Sequence, residues 1–553
     1  MKLYHPFLFV FIAICFISCN KSSEKKQEPI VLIAKPELMN EEVSELIENK
    51  LSDLDTTTTL VIAGDSLIAT KLIVEFYKKN DFKVNWTDKG KHTKESDSLL
   101  RLIKNAEDYG LVPDDYHLSK ITRISEIEKD KKTGKFDAVK FLEAELLFTD
   151  AFFKLAVHTN KGRLNKDSLN REWKVSQLDT NLIDILTAAV AKGTIQPAID
   201  SLEPKNKQYV LLKKALKNFR TEFVNSNWDS LASRESDSLT FNERLKQRLI
   251  ASHDYIDTIA GSDSIKLIKA IKNFQYKHNL TEDGKIGKLT FKALQRTKKD
   301  YIRQIEINME RWRMYNEPKE KQFVWVNLPK YEMRVIEEDT MVMESRVIVG
   351  QPDHQTPTLK STIRYFLIYP YWNVPLSIAT KEILPILKRD TSYLRRKNFE
   401  VLDRRGNVVK DSIIKWKKYS ENYFPWRLRQ RMGDDNSLGI LKFNFENKYG
   451  VYLHDTDSRR LFKREMRAMS HGCVRLERFI DFAKFLIRDD SVNYPIDSLK
   501  MDFLKEEQKY VYIKKPIAIY INYFTAEVDE FNDLFFFMDV YKRDEKMLKA
   551  LNY

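Results

Sequence analysis

The apolar pattern of this chain changes near residue 300, and that change limits the folds it can adopt. From about 60 to 258, apolar residues recur every three or four positions, as in "DSLLRLIKNAEDYGL", which is typical of helices with one buried face. From about 301, short β-branched or aromatic runs such as "QFVWVNLP" and "MESRVIVG" alternate with turn residues, which indicates strands. The sequence therefore predicts an α+β multi-domain protein, with a helical part followed by a mostly β, sandwich-like part.

Composition and charge exclude several classes of protein. The chain has 553 residues, enough for several domains, and its net charge is +14 with both signs interspersed. This charge favours solubility or, alternatively, a weak affinity for an acidic polymer or a membrane surface. The sequence has no basic stripe interleaved with aromatic residues, so we expect no nucleic-acid partner. It also has no clustered metal ligands and no phosphate-binding loop, so we expect no metal and no cofactor.

Residues 1–19, "MKLYHPFLFVFIAICFISC", determine the predicted compartment. Lys2 is followed by an uncharged apolar run from Phe7 to Ile17, which is too short to span a bilayer but suits a signal-peptide core. The end of this segment, "FISC", resembles a bacterial lipoprotein signal, which would make Cys19 the lipidated first residue of the mature chain. We therefore expect an exported, periplasmic protein of the cell envelope, lipid-anchored to a membrane. A simple signal peptide cut nearby is the alternative.

Cysteine usage predicts one reactive thiol. The chain has three cysteines. Cys15 leaves with the signal peptide, Cys19 carries the lipid if the signal is of the lipoprotein type, and Cys473 remains. A single thiol in an exported protein has no partner for an intramolecular disulfide, so we expect it to be reactive. A lone cysteine also lacks the clustered ligands that zinc requires.

Changes of pattern also predict the domain boundaries. In chain order, the predicted segments are a signal peptide over 1–19, a polar tether over 20–59, a helical scaffold domain over 60–258, a small helical module over 259–298, a mostly β domain over 301–495 and further strands over 496–553. Within the β domain, the polar and helix-prone insertion 377–423 has the length of a lid or cap. We expect the last strands to pack on the scaffold or on the β domain.

The small module has a sequence pattern of its own. Residues 261–296, "GSDSIKLIKAIKNFQYKHNLTEDGKIGKLTFKALQR", predict two helices around a turn in which Gly284 and Gly287 can take positive φ. The pattern "FQ…NL…DGKIG…T…AL" resembles the peptidoglycan-binding type 1 module, a small three-helix domain. The alternative is a helical hairpin that only packs against its neighbours.

The segment "RAMSHGCVRLERFIDFAKFLI" surrounds the remaining cysteine. Apolar residues from Leu476 to Ile487 have helical spacing, which predicts a helix starting at or just after Cys473. The N-terminus of such a helix lowers the pKa of a thiol and favours the nucleophilic thiolate. The N–H groups of Gly472 and Cys473 are then candidates to face a developing oxyanion, and Gly472 allows close approach of a substrate carbonyl. The alternative is a buried structural cysteine, against which the polar neighbours "SHG" and Arg475 argue.

A thiol nucleophile needs a base, and two histidines lie near it in the sequence. His471 is only two residues from Cys473, which is awkward for in-line proton abstraction, whereas His454 ends the predicted strand "GVYLHD". We predict that His454 is the general base and acid and that His471 shapes the site. The side chain or carbonyl of Asp455, or the hydroxyl of Ser470, is expected to orient the imidazole. A structural role for His454 is the alternative.

Together, "YLHDT…LFKREMRAMSHGCVRLE" resembles the signature of the L,D-transpeptidase catalytic domain (YkuD type): a histidine, a spacer, then Ser/Thr-His-Gly-Cys-x-Arg/Asn. The segments "INMERWR", "VNLPKYEMRV", "VIVGQPDHQTP", "YPYWNVPLSI", "RQRMGDDNSLGILKFNFEN" and "PIAIYINYFTAEVDE" resemble the large, multi-domain periplasmic members (YcbB type). These members have the same order of parts: helical scaffold, peptidoglycan-binding module, and catalytic domain with a capping insertion.

The resemblance implies a reaction on bacterial cell wall. The Cys473 thiolate would attack the carbonyl of the third residue, a diamino acid, in a donor tetrapeptide stem, and D-alanine would leave, protonated by His454. The side-chain amine of a neighbouring stem would then resolve the thioester into a 3→3 cross-link. Peptidoglycan stem peptides are thus the implied partners, and carbapenems the implied inhibitors. We expect a monomer.

Further site residues follow from the same resemblance. Those expected to shape the site are Ser470, His471, Gly472, Arg475 and Asp455, and those expected to bind substrate are Tyr371, Trp372, Asn436 and Gly439. Arg475 would bind a substrate carboxylate bidentately or, alternatively, make a structural ion pair. Turn formation and core packing are the alternatives for the four substrate-binding residues.

Two other functions stay open on the sequence alone. The same acyl-enzyme could pass its acyl group to water, as an L,D-carboxypeptidase, or to a protein amine, anchoring that protein to the wall. The chain could also be a non-catalytic, wall-binding envelope lipoprotein. The pairing of His454 with Cys473 argues against this last function.

Overall fold

A computed structural model of the protein describes residues 30–55, 58–125, 134–164, 181–222, 238–258, 261–315, 317–490, 492 and 494–552. The chain forms two compact units: Met1–Leu100 with Ser119–Asp150, and Arg101–Leu118 with Ala151–Tyr553. The predicted signal peptide, with Cys19, lies outside the described residues. None of the helices in these ranges is long and apolar enough to cross a membrane.

Part of the predicted tether 20–59 is folded, which corrects that prediction. Residues 39–51 form a helix, and within it Val43, Ile47 and Leu51 are buried. These residues recur at four-residue spacing and therefore lie on one helix face. The polar composition of the flanking residues obscured this short amphipathic pattern.

The elements of residues 30–161 alternate short strands and helices. The helices are α1 (Met39–Leu51), α2 (Thr70–Lys79), α3 (Lys94–Lys104), α4 (Leu118–Ser125) and α5 (Ala138–Lys161). The strands are β1 (Leu32–Ile33), β2 (Leu60–Ile62), β3 (Asp65–Leu67), β4 (Thr87–Asp88), β5 (Lys91–His92) and β6 (Phe136–Asp137). They pair as three two-stranded sheets, β1–β6, β2–β3 and β4–β5.

Two of these small sheets are hairpins that the helical prediction for 60–258 missed. Their two-residue turns are Ala63–Gly64 and Lys89–Gly90, and all four residues have positive φ. Turns of this kind match the twist of the flanking strands and favour hairpins. The dipeptides "AG" and "KG" were the only local signal.

A buried carboxylate holds two segments of the first unit together. Glu145, on α5, is fully buried and accepts hydrogen bonds from the N–H groups of Asn85 and Trp86, both at 2.9 Å. The hydroxyls of Thr87 and Tyr77 donate to it at 2.7 and 2.9 Å. Burial raises the pKa of Glu145, and these four donors oppose the rise. The carboxylate thus ties the segment 85–87 to the helix.

The second unit contains the other described helices. They are α6 (Leu182–Lys192), α7 (Ile195–Ser201), α8 (Lys207–Glu222), α9 (Ser238–Ala251), α10 (Asp263–Lys277), α11 (Lys288–Leu294), α12 (Lys298–Met314), α13 (Leu376–Ile378), α14 (Leu384–Leu387), α15 (Ser392–Arg396), α16 (Phe479–Ile487), α17 (Ile496–Lys505) and α18 (Arg543–Ala550).

Helix α12 is largely buried although its sequence, "KKDYIRQIEINMERWRM", is strongly charged, and it occupies the start of the segment 301–495 that was predicted as mostly β. Its side chains Glu310, Arg311 and Arg313 are almost completely buried. Glu310 pairs with Arg313 at 3.2 Å, and Arg311 pairs with Asp544 of α18 at 2.5 Å. Buried charges are stable only when paired and hydrogen-bonded. The pairing therefore allows this polar helix to serve as a core element.

The small module has three helices packed around one apolar core. Residues of α9, α10 and α11, among them Phe241, Phe274 and Leu294, share that core. The first of these helices, α9, lies within the segment predicted as scaffold. Gly284 has the positive φ expected of it, +71°, whereas Gly287 has φ −75° and precedes α11.

The remaining strands build the mostly β domain, its cap and a C-terminal hairpin. They are β7 (Gln322–Asn327), β8 (Glu332–Glu337), β9 (Thr340–Gly350), β10 (Leu359–Ile368), β11 (Trp372–Asn373), β12 (Phe399–Leu402), β13 (Val408–Val409), β14 (Arg427–Gln430), β15 (Leu441–Phe445), β16 (Leu453–His454), β17 (Ala468–Ser470), β18 (Val474–Leu476), β19 (Lys509–Asn522), β20 (Ala526–Val528) and β21 (Leu534–Phe536).

Nine of these strands form one sheet, in the order β17-β9-β18-β16-β15-β10-β19-β7-β8. The long strand β9 pairs with β8 along its first half and with β18 further on. The sheet therefore curls back on itself and encloses a core that includes Phe366, Phe443 and Phe482, the last on α16. Strand β19, from the predicted C-terminal segment, pairs with β10 on one side and β7 on the other.

The insertion, together with the flanking strands β11 and β14 that lie outside the predicted bounds 377–423, forms a cap with its own sheet and core. Its strands follow the order β11-β14-β12-β13, and its core contains Ile383, Leu387, Leu428 and Trp416. Between α13 and α14, residues Ala379–Ile383 form a π-helical turn. Such turns are rare and are frequently found at functional sites.

Candidate active site

Cys473 lies in a turn between two strands, and not at a helix N-terminus as the sequence predicted. β17 ends at Ser470, β18 begins at Val474, and α16 begins only at Phe479. The apolar spacing after the cysteine belongs first to a strand of three residues and then to the helix. A helix dipole is therefore not available to stabilise the thiolate.

Strand pairing brings Cys473 close to His454. β16 and β18 run parallel, with Leu453 opposite Val474 and His454 opposite Arg475. The N–H of Val474 donates to the carbonyl of Tyr452 at 3.1 Å. Residues opposite each other share a sheet face, and diagonal neighbours are about 7–8 Å apart. His454 is thus a diagonal neighbour of Cys473 on one face of the sheet.

The half-buried thiol of Cys473 is surrounded by polar groups. Its Sγ lies 3.9 Å from the carbonyl oxygen of Gly450. Burial raises the pKa of Cys473, and hydrogen bonds from Tyr452 and the positive charges of Lys442 and Arg475 oppose this rise. The net effect is a higher pKa, which corrects the predicted lowering. The resting side chain is therefore a thiol rather than a thiolate at neutral pH.

His454 is also uncharged at rest. It is 4% exposed, and burial, followed by the charge of Arg475, lowers the pKa of His454 to about 3. Its Nδ1 is buried and makes no hydrogen bond within the part of the chain that the structure describes. A neutral imidazole can accept a proton, so the geometry allows His454 to act as a base.

Neither predicted side chain orients this imidazole, whereas the backbone of Asp455, the other predicted partner, interacts with it and raises its pKa against burial, as does the backbone of Leu438. The carboxylate of Asp455 accepts hydrogen bonds from Arg459, at 2.7 and 3.1 Å, and from the N–H of Ile440 at 3.1 Å. The hydroxyl of Ser470 donates to the carbonyl of Cys473 at 2.5 Å. Asp455 therefore fixes the strand end that carries His454, and Ser470 fixes the turn that carries the thiol.

The oxyanion role predicted for the Gly472 N–H is also corrected. This N–H donates to the Ser470 hydroxyl at 3.1 Å, inside the turn. Gly472 has φ +115°, a conformation open to glycine and strained for other residues. Its carbonyl accepts from the Thr356 hydroxyl at 2.8 Å, so the neighbouring loop braces the turn.

The cap contacts the SHGC block through His471. Its Nε2 lies 2.8 Å from a carboxylate oxygen of Glu382, which belongs to the π-helical turn. Both side chains are partly exposed, 38% for His471 and 47% for Glu382. His471 therefore connects the cap to the site, which fits the site-shaping role predicted for it.

The predicted substrate-binding residues divide into two groups. Trp372, on β11, lies beside the Tyr452 hydroxyl, whose pKa it helps to lower against burial, and Tyr371 stacks under the guanidinium of Arg429 at 4.5 Å. Asn436 is 1% exposed. Its side chain donates to the carbonyls of Pro370 and Arg431. Trp372 therefore lines the site, whereas Asn436 holds the chain segments that border it.

Gly439 supports the strand that precedes the site. Its φ is +60°, and a Cβ there would lie 2.1 Å from a carboxylate oxygen of Asp455. Only glycine fits this position. Gly439 and Asn436 thus have structural roles, and their predicted contact with substrate stays a prediction.

Three residues of the site were missed in the sequence. Tyr452 lies next to Cys473, and the Nζ of Lys442 lies 4.0 Å from the centre of its ring. Alternation along a strand puts Tyr452 and His454 on one face, so "YLH" did carry a signal for the tyrosine. Lys442 and Glu382 gave no local signal, because each reaches the site through pairing or packing of distant segments.

Comparison with known protein families gives three matches along the chain. Residues 321–493 match the YkuD model, described as "L,D-transpeptidase catalytic domain". Residues 71–216 match a model described as "Scaffold domain". Residues 243–294 match "Putative peptidoglycan binding domain", a range that includes most of α9.

One curated relative and two solved structures are similar to parts of the chain. A "Putative L,D-transpeptidase" of Haemophilus influenzae is 39% identical over 166 residues, which are 30% of this chain and 34% of that protein. The chain thus matches about a third of the length of that relative.

The crystal structure of L,D-transpeptidase (Yku) from Stackebrandtia nassauensis is 18% identical, covers 51% of this chain and 90% of its own, and has a TM-score of 0.21. The Ldtfm-avibactam carbamoyl enzyme is 10% identical, covers 56% of this chain and 98% of its own, and has a TM-score of 0.18. TM-scores this low do not show that the two folds are the same.

The family match over 321–493 includes both Cys473 and His454. The same residues form the mostly β domain and its cap, and the three-helix module lies in the range matched by the peptidoglycan-binding model. The chain therefore carries the L,D-transpeptidase catalytic domain of the YkuD family, together with a peptidoglycan-binding domain and a scaffold domain.

Proposed function

We propose that the protein is an L,D-transpeptidase that forms 3→3 cross-links in peptidoglycan through a thioester on Cys473. The observation that carries this proposal is the pairing of β16 with β18, which brings the half-buried thiol and the neutral His454 onto one sheet face. A thiol and a neutral base in that arrangement are the parts that nucleophilic acyl transfer needs.

Two cations support an anionic substrate at this site. Lys442 and Arg475 both lie close enough to Cys473 to affect its pKa. Within the described residues neither has a carboxylate within salt-bridge distance, although the charge of Asp457 acts on Arg475 from further away. A substrate carboxylate, such as that of the terminal D-alanine or of the diamino acid, would provide a direct partner for these cations. This favours substrate binding over a structural ion pair for Arg475.

The resting protonation states determine how the first step starts. Since the thiol of Cys473 and the imidazole of His454 are both neutral, the proton moves from Sγ to His454 as the sulfur attacks the carbonyl of the third stem residue. The S–C bond forms, and the carbonyl electron pair moves to oxygen. The N–H of Cys473, in the turn before β18, is the remaining predicted backbone donor for that oxygen.

Collapse of this intermediate releases the terminal residue. The C–N bond to D-alanine breaks, and its amine takes the proton that His454 holds. In the second half-reaction the side-chain amine of an acceptor stem attacks the thioester. It loses a proton to His454, and the sulfur leaves as thiolate and regains that proton. The site thus returns to its initial state with one new amide bond.

The test separates the nucleophile from the acceptor. Intact-protein mass after treatment with meropenem is expected to increase by one drug molecule in the wild type and by none in Cys473→Ala. Incubation with purified muropeptides is then expected to give dimers joined between two diamino acids. Shortened monomers alone would identify a carboxypeptidase. Adducts on both proteins, or on neither, would remove Cys473 as the nucleophile.

The matches to a peptidoglycan-binding and a catalytic domain support our proposal that the protein acts at the cell envelope, with peptidoglycan as its substrate class. We propose, in addition, periplasmic location and a lipid on Cys19, which lies outside the described residues. Mass analysis of the mature N-terminus would show a diacylglyceryl cysteine at that position. An unmodified N-terminus elsewhere would contradict the lipid anchor.

A further inference from the structure

The outer face of the catalytic sheet carries a row of polar and aromatic side chains that begins at the nucleophile. Register places Tyr512 opposite Tyr365, and Tyr365 opposite Asn444. One step further along the same ladders, Asn444 lies opposite Tyr452, and Tyr452 opposite Cys473. Residues opposite each other share a face. The row Cys473–Tyr452–Asn444–Tyr365–Tyr512 therefore crosses five strands on one face.

The other face of the same strands is the domain core, which fixes the orientation of the row. Phe366, Phe443, Leu453 and Val474, which alternate with the row residues, are buried in that core. Successive side chains of a strand point to opposite faces. The row therefore faces outward.

The far end of the row is an exposed tyrosine cluster, formed by Tyr365, Tyr510 and Tyr512. Tyr510 is 53% exposed and Tyr512 is 69% exposed. Their ring centres lie 5.8 and 5.4 Å from that of the half-buried Tyr365. Three neighbouring rings at the surface present large apolar faces with polar tips, a combination that suits a ligand with both apolar and hydroxyl faces.

We propose that this tyrosine cluster binds the glycan of the donor peptidoglycan strand, so that the row guides the stem peptide from the sugar to Cys473. The inference rests on the proposed function and extends it by naming a second contact with the same substrate. Sugar rings have apolar faces edged with hydroxyls, and they stack on tyrosine rings in the manner that the cluster offers.

The length of the row fits this substrate. Neighbouring strands lie about 4.8 Å apart, so Tyr365 is about 14 Å and Tyr512 about 19 Å from Cys473 across the sheet. Three extended stem residues span about 10 Å, and the acyl arm that joins the stem to its sugar adds a few Å. The first sugar would therefore lie over Tyr365, and the next over Tyr510 and Tyr512.

The middle of the row offers a contact for the peptide itself. The side chain of Asn444 is half-buried and makes no hydrogen bond within the described part of the chain. An amide has both donors and an acceptor. Asn444 can therefore bond the backbone of an extended stem between Tyr452 and Tyr365.

A strand from another protein chain is the alternative ligand for this region. The first half of β19 pairs with β10 only and leaves an open sheet edge, to which such a strand could add. This edge carries Lys509, Lys514, Lys515 and Pro516. Lysines and proline on an edge strand oppose pairing with another strand. The edge is thus protected against strand addition, while the adjacent sheet face stays open to a ligand.

The experiment compares two donors on the same enzyme. One is the free tetrapeptide stem, and the other is the same stem attached to its disaccharide. We expect the variant Tyr365→Ala/Tyr510→Ala/Tyr512→Ala to lose about tenfold in kcat/KM with the disaccharide donor, and less than twofold with the free stem. The corresponding triple Phe variant keeps the rings and is expected to retain most of the activity on both donors.

Phe531→Ala provides a matched control, since Phe531 is 76% exposed and lies on the turn between β20 and β21, which form a sheet separate from the one that carries the row. Should the triple variant fold poorly, Tyr512→Ala alone removes the most exposed ring of the cluster. Equal losses on both donors, or no loss with the disaccharide donor, would overturn the glycan site. No acylation of wild-type Cys473 by either donor would instead reject the proposed function.

Sedimentation of the wild type and the triple Ala variant tests the alternative ligand. A wild-type dimer that the variant loses would assign the face to a second copy of the chain and overturn the proposal. We expect both proteins to sediment as monomers and to differ only in their response to the disaccharide donor.

Discussion

At the scale of single residues, burial decides the chemistry of the site. It raises the pKa of Cys473 and lowers that of His454 to about 3. Many thiol enzymes rest as a thiolate–imidazolium pair, favoured by a nearby cation or a helix N-terminus. Here the cations Lys442 and Arg475 are present, but desolvation outweighs them. The resting pair is neutral.

This neutral pair predicts an unusual pH dependence. The rate of Cys473 acylation by meropenem is expected to stay flat from about pH 5 to about pH 8, because the reactive protonation states dominate over that whole range. The measurement is the second-order rate of adduct formation by mass spectrometry. A bell-shaped profile with an acid limb near the ordinary pKa of histidine would contradict the neutral pair.

That Cys473 and His454 lie near each other could be predicted from the sequence, because both residues belong to short, distinctive segments. "SHGC" and "YLHD" carry their chemistry locally. The environment of the thiol could not be predicted in the same way. Strand β18 has only three residues, too few to show an alternating pattern, and the helical spacing of α16 appeared to extend back to the cysteine. The prediction of a lowered pKa for the Cys473 thiol rested on that incorrect helix start.

At the scale of elements, the cap is joined to the SHGC block by a polar contact. Glu382 is placed by the π-helical turn Ala379–Ile383 and bonds His471 of the block. Both groups are partly exposed, so the contact contributes less than about 1 kcal/mol. A contact of that strength can be broken and remade as substrate enters. The cap was predicted from its length and composition, whereas this link depends on packing between distant segments.

Removing the carboxylate charge tests this link. In Glu382→Gln we expect faster amide hydrogen exchange over α13 and α14, with the thermal midpoint almost unchanged, because the cap keeps its own core. Lys381→Gln is the matched control, since Lys381 pairs with Glu421 inside the cap at 3.0 Å. Equal exchange in the two variants would show that the contact with His471 does not restrain the cap.

At the scale of the whole molecule, one buried imidazole and two partly buried ones make the second unit sensitive to acid. The pKa values of His158, His278 and His454 are all lowered to about 3, mainly by burial. Unfolding returns each to an ordinary pKa near 6.5. Between these values the unfolded chain binds more protons than the folded chain, so stability is full above pH 6.5 and falls as the pH decreases towards 3.

Each of these histidines contributes up to about 1.4 kcal/mol per pH unit within that range. We expect the free energy of unfolding of the second unit to decrease clearly between pH 7 and pH 5, with proton uptake on unfolding at pH 5. Denaturant titration measures the free energy of unfolding at each pH, and calorimetric unfolding in two buffers of different ionisation enthalpy measures the proton uptake. His354→Gln, at an exposed position, is the control and should keep the same slope. A stability that does not change over this range would contradict the prediction.

The overall α+β order of the chain was visible in its apolar pattern, because long helices and alternating strands carry their period in local sequence. The position of the C-terminal strand β19 within the sheet could not be predicted from that pattern. β19 lies between β10 and β7 and joins two parts of the sheet, a long-range pairing that leaves no local trace. The short hairpins at 60–67 and 87–92 were not predicted because their strands are too short to show an alternating pattern.

The placement of β19 has a consequence for how the protein matures. Until synthesis passes residue 522, β7 and β10 have no neighbour between them, and the sheet that supports the thiol cannot close. We therefore expect a chain that terminates before β19 to lack the closed sheet beneath Cys473 and His454. The candidate site would then take shape late in synthesis, only after the strand that completes its sheet has been made.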